Sequence, residues 1–273
     1  MKIADLGRID GPVLLFGGPY SNAQAFGALM DLGWPRDRMI CTGDVVAYCA
    51  DPGGCIEKAQ EIATAGGLVV AGNVEKQLGV RALDCGCGFE EGTACDLLSA
   101  GWYGHANASV DDAARDWMAA LPDLGLFEQA GRRYAVIHGG ARDVARFLWP
   151  SSPAAAFADE VAAITDLMGP VDGVIAGHCG VAFMREVAGV QWINAGVIGM
   201  PPHDGRRATR YAVLEAGRVR TRRLDYDWTS ARRAMVAAGL TQGYQDALSS
   251  GIWPSEDVLP MAMRPGYQSC ASG

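Results

Sequence analysis

The stretch VLLFGGPYSNAQAF, Val13 to Phe26, decides how the rest of the chain is read. An apolar run, a glycine pair and a polar turn lead into a segment of helical character, the pattern of a buried strand ending in a tight turn before a helix. Ligands of α/β proteins bind at such corners. This one offers Gly17, Gly18, Pro19, Tyr20 and Ser21, with no acid, histidine or lysine.

Outward from that corner, short apolar runs alternate with amphipathic segments. PVLLF, RMICT, GLVVA, RYAVI, DGVIA and VQWIN read as strands, and RYAVLEAGRVRTRRLDYD as a hairpin. NAQAFGALMDLG, PGGCIEKAQEIATAGG, SVDDAARDWMAALPDL with Ser109 as N-cap, and SPAAAFADEVAAITDLMG read as helices. The alternation predicts an α/β protein around a buried sheet. From about Asp227 onward, helical pieces and prolines predict a tail packed on, or extending from, the main domain.

Composition narrows the class. A chain of 273 residues with 49% apolar content can bury a large core. Its apolar runs are far shorter than the roughly 20 residues a membrane span needs, and the N-terminus lacks the apolar centre of a signal peptide, so a cytoplasmic location is expected. A net charge of −8 argues against a nucleic-acid partner. The basic exceptions are RRATR, Arg206 to Arg210, and RVRTRR, Arg218 to Arg223, the latter read as a solvated strand face. Eight cysteines in a reducing compartment are expected as free thiols, Cys41 as a buried hydrophobe. The loop DCGCGFEEGTAC, with Cys85, Cys87 and Cys95, is a weak metal signal lacking a fourth ligand.

What repeats is how the strands end. CTGD closes one run with Asp44, VVAGN another with Asn73, AVIHGG supplies His138 and VIAGH supplies His178. Each of these taken singly reads as a turn or a hydrogen-bonded structural residue. Delivered to one edge by separate strands, a carboxylate, an amide oxygen and two imidazoles make a divalent-metal set suited to iron, manganese, zinc or nickel.

The order GD, GN, HGG, GH and INAGVIGMPPHDG resembles the calcineurin-like metallophosphoesterase superfamily, particularly its compact bacterial phosphodiesterase and diadenosine-tetraphosphatase-like branch. The resemblance implies a β-sandwich of two mixed sheets flanked by helices, a four-layer αββα α/β fold, over residues 1–227, with 228–273 as a helical extension packed on it. It also implies a two-metal centre. One metal of that centre is held by an Asp-x-His turn and the last histidine of Gly-His-x-His; here Gly18, Tyr20 and Gly180 stand in those places. The other is held by residues matching Asp44, Asn73, His138 and His178, so one ion rather than two is expected.

The family's usual proton donor, the histidine after Gly-Asn, is replaced by Val74. Asn73, Tyr20, His203 and Arg142 are the candidate catalytic residues: Tyr20 as a hydrogen-bond donor or space filler, His203 as a substitute acid alongside His105 and Tyr20, and Arg142 as compensating charge. Glu75 reads as a helix-start carboxylate bound to backbone, or as a group acting on solvent. Cys179 and Cys49 are candidates for thiolates near the vacated half-site. The expected function is metal-dependent hydrolysis of a small phosphorylated or nucleotide-like phosphoester. The alternative is a catalytically silent member used for ligand sensing or protein binding. The tail near Trp253 and Met261 leaves room for a homo-oligomer.

Overall fold

The computed structural model describes residues 1–88 and 90–264. Its strands are β1 (Ile3–Arg8), β2 (Val13–Phe16), β3 (Met39–Cys41), β4 (Leu68–Val69), β5 (Leu124–Gln129), β6 (Arg132–Val136), β7 (Gly173–Ala176), β8 (Phe183–Val187), β9 (Val190–Asn194), β10 (Thr209–Glu215) and β11 (Arg218–Leu224). Its α-helices are α1 (Ala23–Met30), α2 (Pro52–Thr64), α3 (Asn73–Gly79), α4 (Ala94–Ser109), α5 (Asp112–Ala120), α6 (Ala154–Met168), α7 (Trp228–Ala237) and α8 (Tyr244–Ser250). No helix among the described residues is long and apolar enough to cross a membrane.

Two mixed sheets stack face to face, one in the order β1-β5-β6-β7-β9-β8 and the other β11-β10-β2-β3-β4. Alternation along β2 explains the layering: Val13 and Leu15 join Ile40, Leu68, Tyr134, Val136 and Ile175 between the sheets. Leu14 and Phe16 point the other way, into a core shared with α1, α2 and the C-terminal helices. Phe157 of α6 covers the outer face of the six-stranded sheet with Trp192 and Val174. The architecture is the four-layer αββα sandwich expected.

All six apolar runs and the hairpin form strands. The three strands not foreseen have physical explanations. β1 and β8 are the edges of the six-stranded sheet, and their half-exposed, polar alternation hides them. β5 begins at Leu124, where the expected helix was carried too far; α5 stops at Ala120, just before Pro122. Ser109 is a second correction. It ends α4, its hydroxyl bonded back to the His105 carbonyl, and Asp111 caps α5. α4 is not legible in the sequence, because glycines and aromatics break its apolar period.

The C-terminal segment packs against α1 through α7, and α7 against α8. Tyr244, Trp253, Ser255 and Val258 then continue into the wall of the cavity described below. Residues 265–273 of the expected extension lie outside the described residues.

Candidate metal centre

Parallel pairing of β3 with β4, and of β6 with β7, brings their carboxyl ends to one edge of the sandwich. The loops there can touch because glycines leave room. At Gly43, φ is +91°, and a Cβ would sit 2.5 Å from the Gly72 nitrogen and 2.9 Å from His138 Nδ1. Asp44 and His178 adopt φ of 54° and 61°, a left-handed conformation that non-glycine residues seldom take outside constrained sites.

Three further donors meet around His138. Its Nε2 lies 3.1 Å from Asn73 Oδ1, 3.1 Å from His178 Nδ1 and 3.3 Å from Asp44 Oδ2. Its Nδ1 donates to the Thr42 carbonyl at 2.5 Å, which turns Nε2 inward. Asn73 is oriented from behind, its Nδ2 donating to the Cys85 carbonyl at 2.9 Å and contacting Cys87 Sγ at 3.3 Å, so that Oδ1 faces His138. Donors held about 2.1 Å from one transition-metal ion at right angles are about 3 Å apart, the spacing seen here. Asp44 Oδ1 is buried with no hydrogen-bond partner among the described residues, and Asp44, His138 and His178 form a group able to hold a cation. The residues therefore fit a divalent ion.

The electrostatics agree. Burial pulls the His138 imidazolium down, but Asp44's charge and hydrogen bond reverse this and leave it above its ordinary value. Burial, with His138 beside it, drives His178 down to about 3. Burial raises Asp44, yet His138 outweighs it and the carboxyl stays below its usual range. Asp44 thus favours a proton on His138, at the position where a bound cation would take that proton's place.

Glu75, buried at the start of α3, fastens the two carboxylate-side loops together. Its carboxylate accepts from the backbone nitrogens of Asp44 at 2.8 Å, Val46 at 3.1 Å and Gly72 at 2.9 Å. Of the two sequence readings, the backbone-binding one describes it. Glu160 of α6 does similar work after His138, accepting from Ala141 N and pairing with Arg146. Nothing in the sequence pointed to Glu160.

The three departures from the family motif are one spatial feature. The Tyr20 ring folds back onto Gly18, where any Cβ would collide with it, and a Cβ on Gly180 would lie 3.6 Å from the Trp253 ring and 3.9 Å from the Tyr20 hydroxyl. Tyr20 and Trp253 thus occupy the region bounded by Gly18 and Gly180. Burial, and then Asp44's charge, raise the Tyr20 pKa well above its ordinary value, so the phenol keeps its proton. Both residues line a cavity that also exposes Asp44 and His178, with Tyr48, Phe147, Trp149 and Tyr244 as further aromatic wall. No lysine or arginine lines it among the described residues.

Other candidates lie elsewhere. Arg142 is exposed and faces Asp166 at 3.0 Å, outside the cavity wall. His203 sits behind Trp253: its Nδ1 accepts from Trp253 N at 2.8 Å and its Nε2 reaches Glu256 at 3.2 Å. It ties down the closing segment and does not line the cavity. His105 bonds the Ala50 carbonyl. Cys49 and Cys179 are buried thiols, both pushed up by burial, Cys179 to about 12, which opposes a thiolate reading. Cys85 and Cys87, expected as free thiols, are joined by a disulfide, while Cys41, Cys49, Cys55, Cys95 and Cys179 are free and buried.

Two stacked mixed sheets with metal-capable residues at their strand ends are the hallmark of one class. The chain belongs to the calcineurin-like phosphoesterase superfamily, whose domain model matches residues 21–218. A metallophosphoesterase from Sphaerobacter thermophilus shares the fold with a TM-score of 0.69 at 20% identity, covering 89% of this chain and 100% of that one. Hypothetical protein PH1004 from Pyrococcus horikoshii OT3 superposes with a TM-score of 0.72 at 13% identity, covering 90% and 99%. No curated relative matches the chain at the sequence level.

Proposed function

We propose that this chain is a metal-dependent phosphoesterase working from a single divalent ion held by Asp44, Asn73, His138 and His178, and that its substrate is a small phosphodiester bearing an aromatic group. The observation that carries the metal reading is the convergence of three donor atoms on His138 Nε2 within 3.3 Å. When bound, such an ion supplies Lewis-acid polarisation of a phosphoryl oxygen and acidifies water.

The chain's own residues favour a diester. A phosphomonoester brings two negative charges, and the cavity wall offers no guanidinium or ammonium to meet them. A diester brings one. The Tyr20 hydroxyl, protonated and facing the same space, is a hydrogen-bond donor for a non-bridging oxygen. Tyr48, Phe147, Trp149, Tyr244 and Trp253 provide stacking surface and exclude water from an aromatic substituent. Val74, buried at the family's proton-donor position, transfers no proton, so a leaving oxygen of low basicity is required.

A silent, ligand-binding member is the second reading, favoured by the filled corner at Gly18, Tyr20 and Gly180. One experiment separates them. The metal-stripped protein is reloaded with Mn²⁺, Fe²⁺, Zn²⁺ or Ni²⁺ and assayed on a bis-aryl phosphodiester and an aryl phosphomonoester. Diester turnover abolished by Asp44→Ala supports the enzyme; metal uptake without turnover of either ester supports the binding module.

A further inference from the structure

β11 is the edge of the five-stranded sheet and pairs with β10 alone. Its exposed Arg218, Arg220 and Arg222 share one face, opposite Glu215, Val213 and Tyr211 in the register of the hairpin. They border a groove with Trp34, Tyr211 and Val213 in its lining. None of these arginines has an ion pair or a side-chain hydrogen bond among the described residues, not even Arg218 with Glu215. By contrast Arg210, Arg232, Arg146 and Arg142 each hold a carboxylate.

On a chain of net charge −8 this is a local concentration of uncompensated cations. Residues two apart on a strand are roughly 6.8 Å apart, and like charges at that spacing repel by about 0.6 kcal/mol per pair even in water. Glu215, across from Arg218, is the one carboxylate in the groove lining among the described residues, so three guanidinium charges face a single negative one. The chemistry that would offset the repulsion is a row of anions at the same spacing, which is what alternate side chains of an extended acidic peptide present. The edge supplies the second half of the match, because the outward backbone groups of β11 make no hydrogen bonds outside the β10 ladder among the described residues. A second copy of β11 would set arginines against arginines and is excluded as occupant by the same electrostatics.

We infer that the β11 edge is a docking site for an acidic, extended segment of a partner protein, which adds as a further strand and sets its carboxylates against Arg218, Arg220 and Arg222. Opposite-charge cross-strand pairs fix the register, and strand addition supplies the main-chain bonds. The site is independent of the metal centre. A single-stranded nucleic acid also carries regularly spaced anions, but the overall negative charge opposes it.

The test uses the full chain and three labelled probes in low salt: a ten-residue alternating Glu-Val peptide, its Lys-Val counterpart and a single-stranded oligonucleotide of equal charge. Fluorescence anisotropy should show binding of the acidic peptide alone, weakened about tenfold or more by the double change Arg220→Glu and Arg222→Glu. Amide exchange should slow along β11 when the peptide binds, which reports on docking even if affinity is modest. Metal content and thermal stability of the double variant should match the parent, since both side chains are exposed. Failure of the acidic peptide to bind or protect β11, equal binding by the double variant, or tighter binding of the oligonucleotide would overturn the proposal.

Discussion

The Glu75 carboxylate accepts the backbone N–H of Asp44 at 2.8 Å, and that of Gly72, one residue before Asn73, at 2.9 Å. One buried side chain therefore sets the distance between the loop that carries Asp44 and the loop that carries Asn73. Glu75→Ala leaves three buried N–H groups unpaired and should lower stability by about 3 kcal/mol or more, read as an earlier urea midpoint. Glu75→Gln keeps the shape but presents an amide N–H to a backbone donor, and should cost less while still weakening metal binding. Wild-type metal affinity in both variants would remove Glu75 as a positioning residue.

Tyr20→Phe separates the two roles of that side chain. The ring still fills the corner at Gly18, so melting temperature and metal stoichiometry should be unchanged. If the hydroxyl binds the substrate's oxygen, kcat/KM for the diester should fall about 10- to 100-fold, the loss of one hydrogen bond to a charged group. Unaltered kinetics would make Tyr20 a filler only.

His203 acts through Trp253. In His203→Ala, the Trp253 N–H and the Glu256 carboxylate lose their partner, and the closing segment loosens. KM should rise several-fold with kcat little changed, and Trp253 emission should shift to the red. A collapse of kcat with normal KM would instead return His203 to a role in proton transfer.

Metal-free protein should become less stable as the pH rises above neutrality. Although burial opposes it, Asp44's charge raises the folded-state pKa of His138. That proton's stabilisation is complete below about pH 6.5 and is lost as the pH climbs through the folded value. Glu75, raised to about 7 by burial and by Asp44, works in the same direction up to that pH. His178, lowered to about 3, opposes both only below its unfolded value. Calorimetry on chelated samples from about pH 6.5 to 8.5 should show a falling melting temperature, flattened in His138→Asn. Metal affinity should rise over the same interval, because binding displaces the His138 proton. A rising melting temperature without metal would contradict this assignment.

Much of the molecule was legible before any coordinates. Apolar runs and turn glycines located the strands of the inner sheets, because burial on both faces demands continuous Val, Leu and Ile. Asp44, Asn73, His138 and His178 stood out because each follows such a run and neighbours a glycine. Edge strands β1 and β8 escaped notice, since one solvated face dilutes the pattern to something a loop can share.

Local sequence determined which residues end the strands, and the resemblance marked Gly18, Tyr20, Val74 and Gly180 as departures from the motifs it implies. Tertiary structure alone decided that Tyr20 and Trp253, 233 positions apart, close over the same corner. It also drew Glu75 and the Cys85–Cys87 loop behind the donors, sent Arg142 to the surface and put His203 behind Trp253. The reason is range: periodicity and turn chemistry act over a few residues, whereas the cavity is assembled by packing between segments whose separation along the chain carries no trace of their contact.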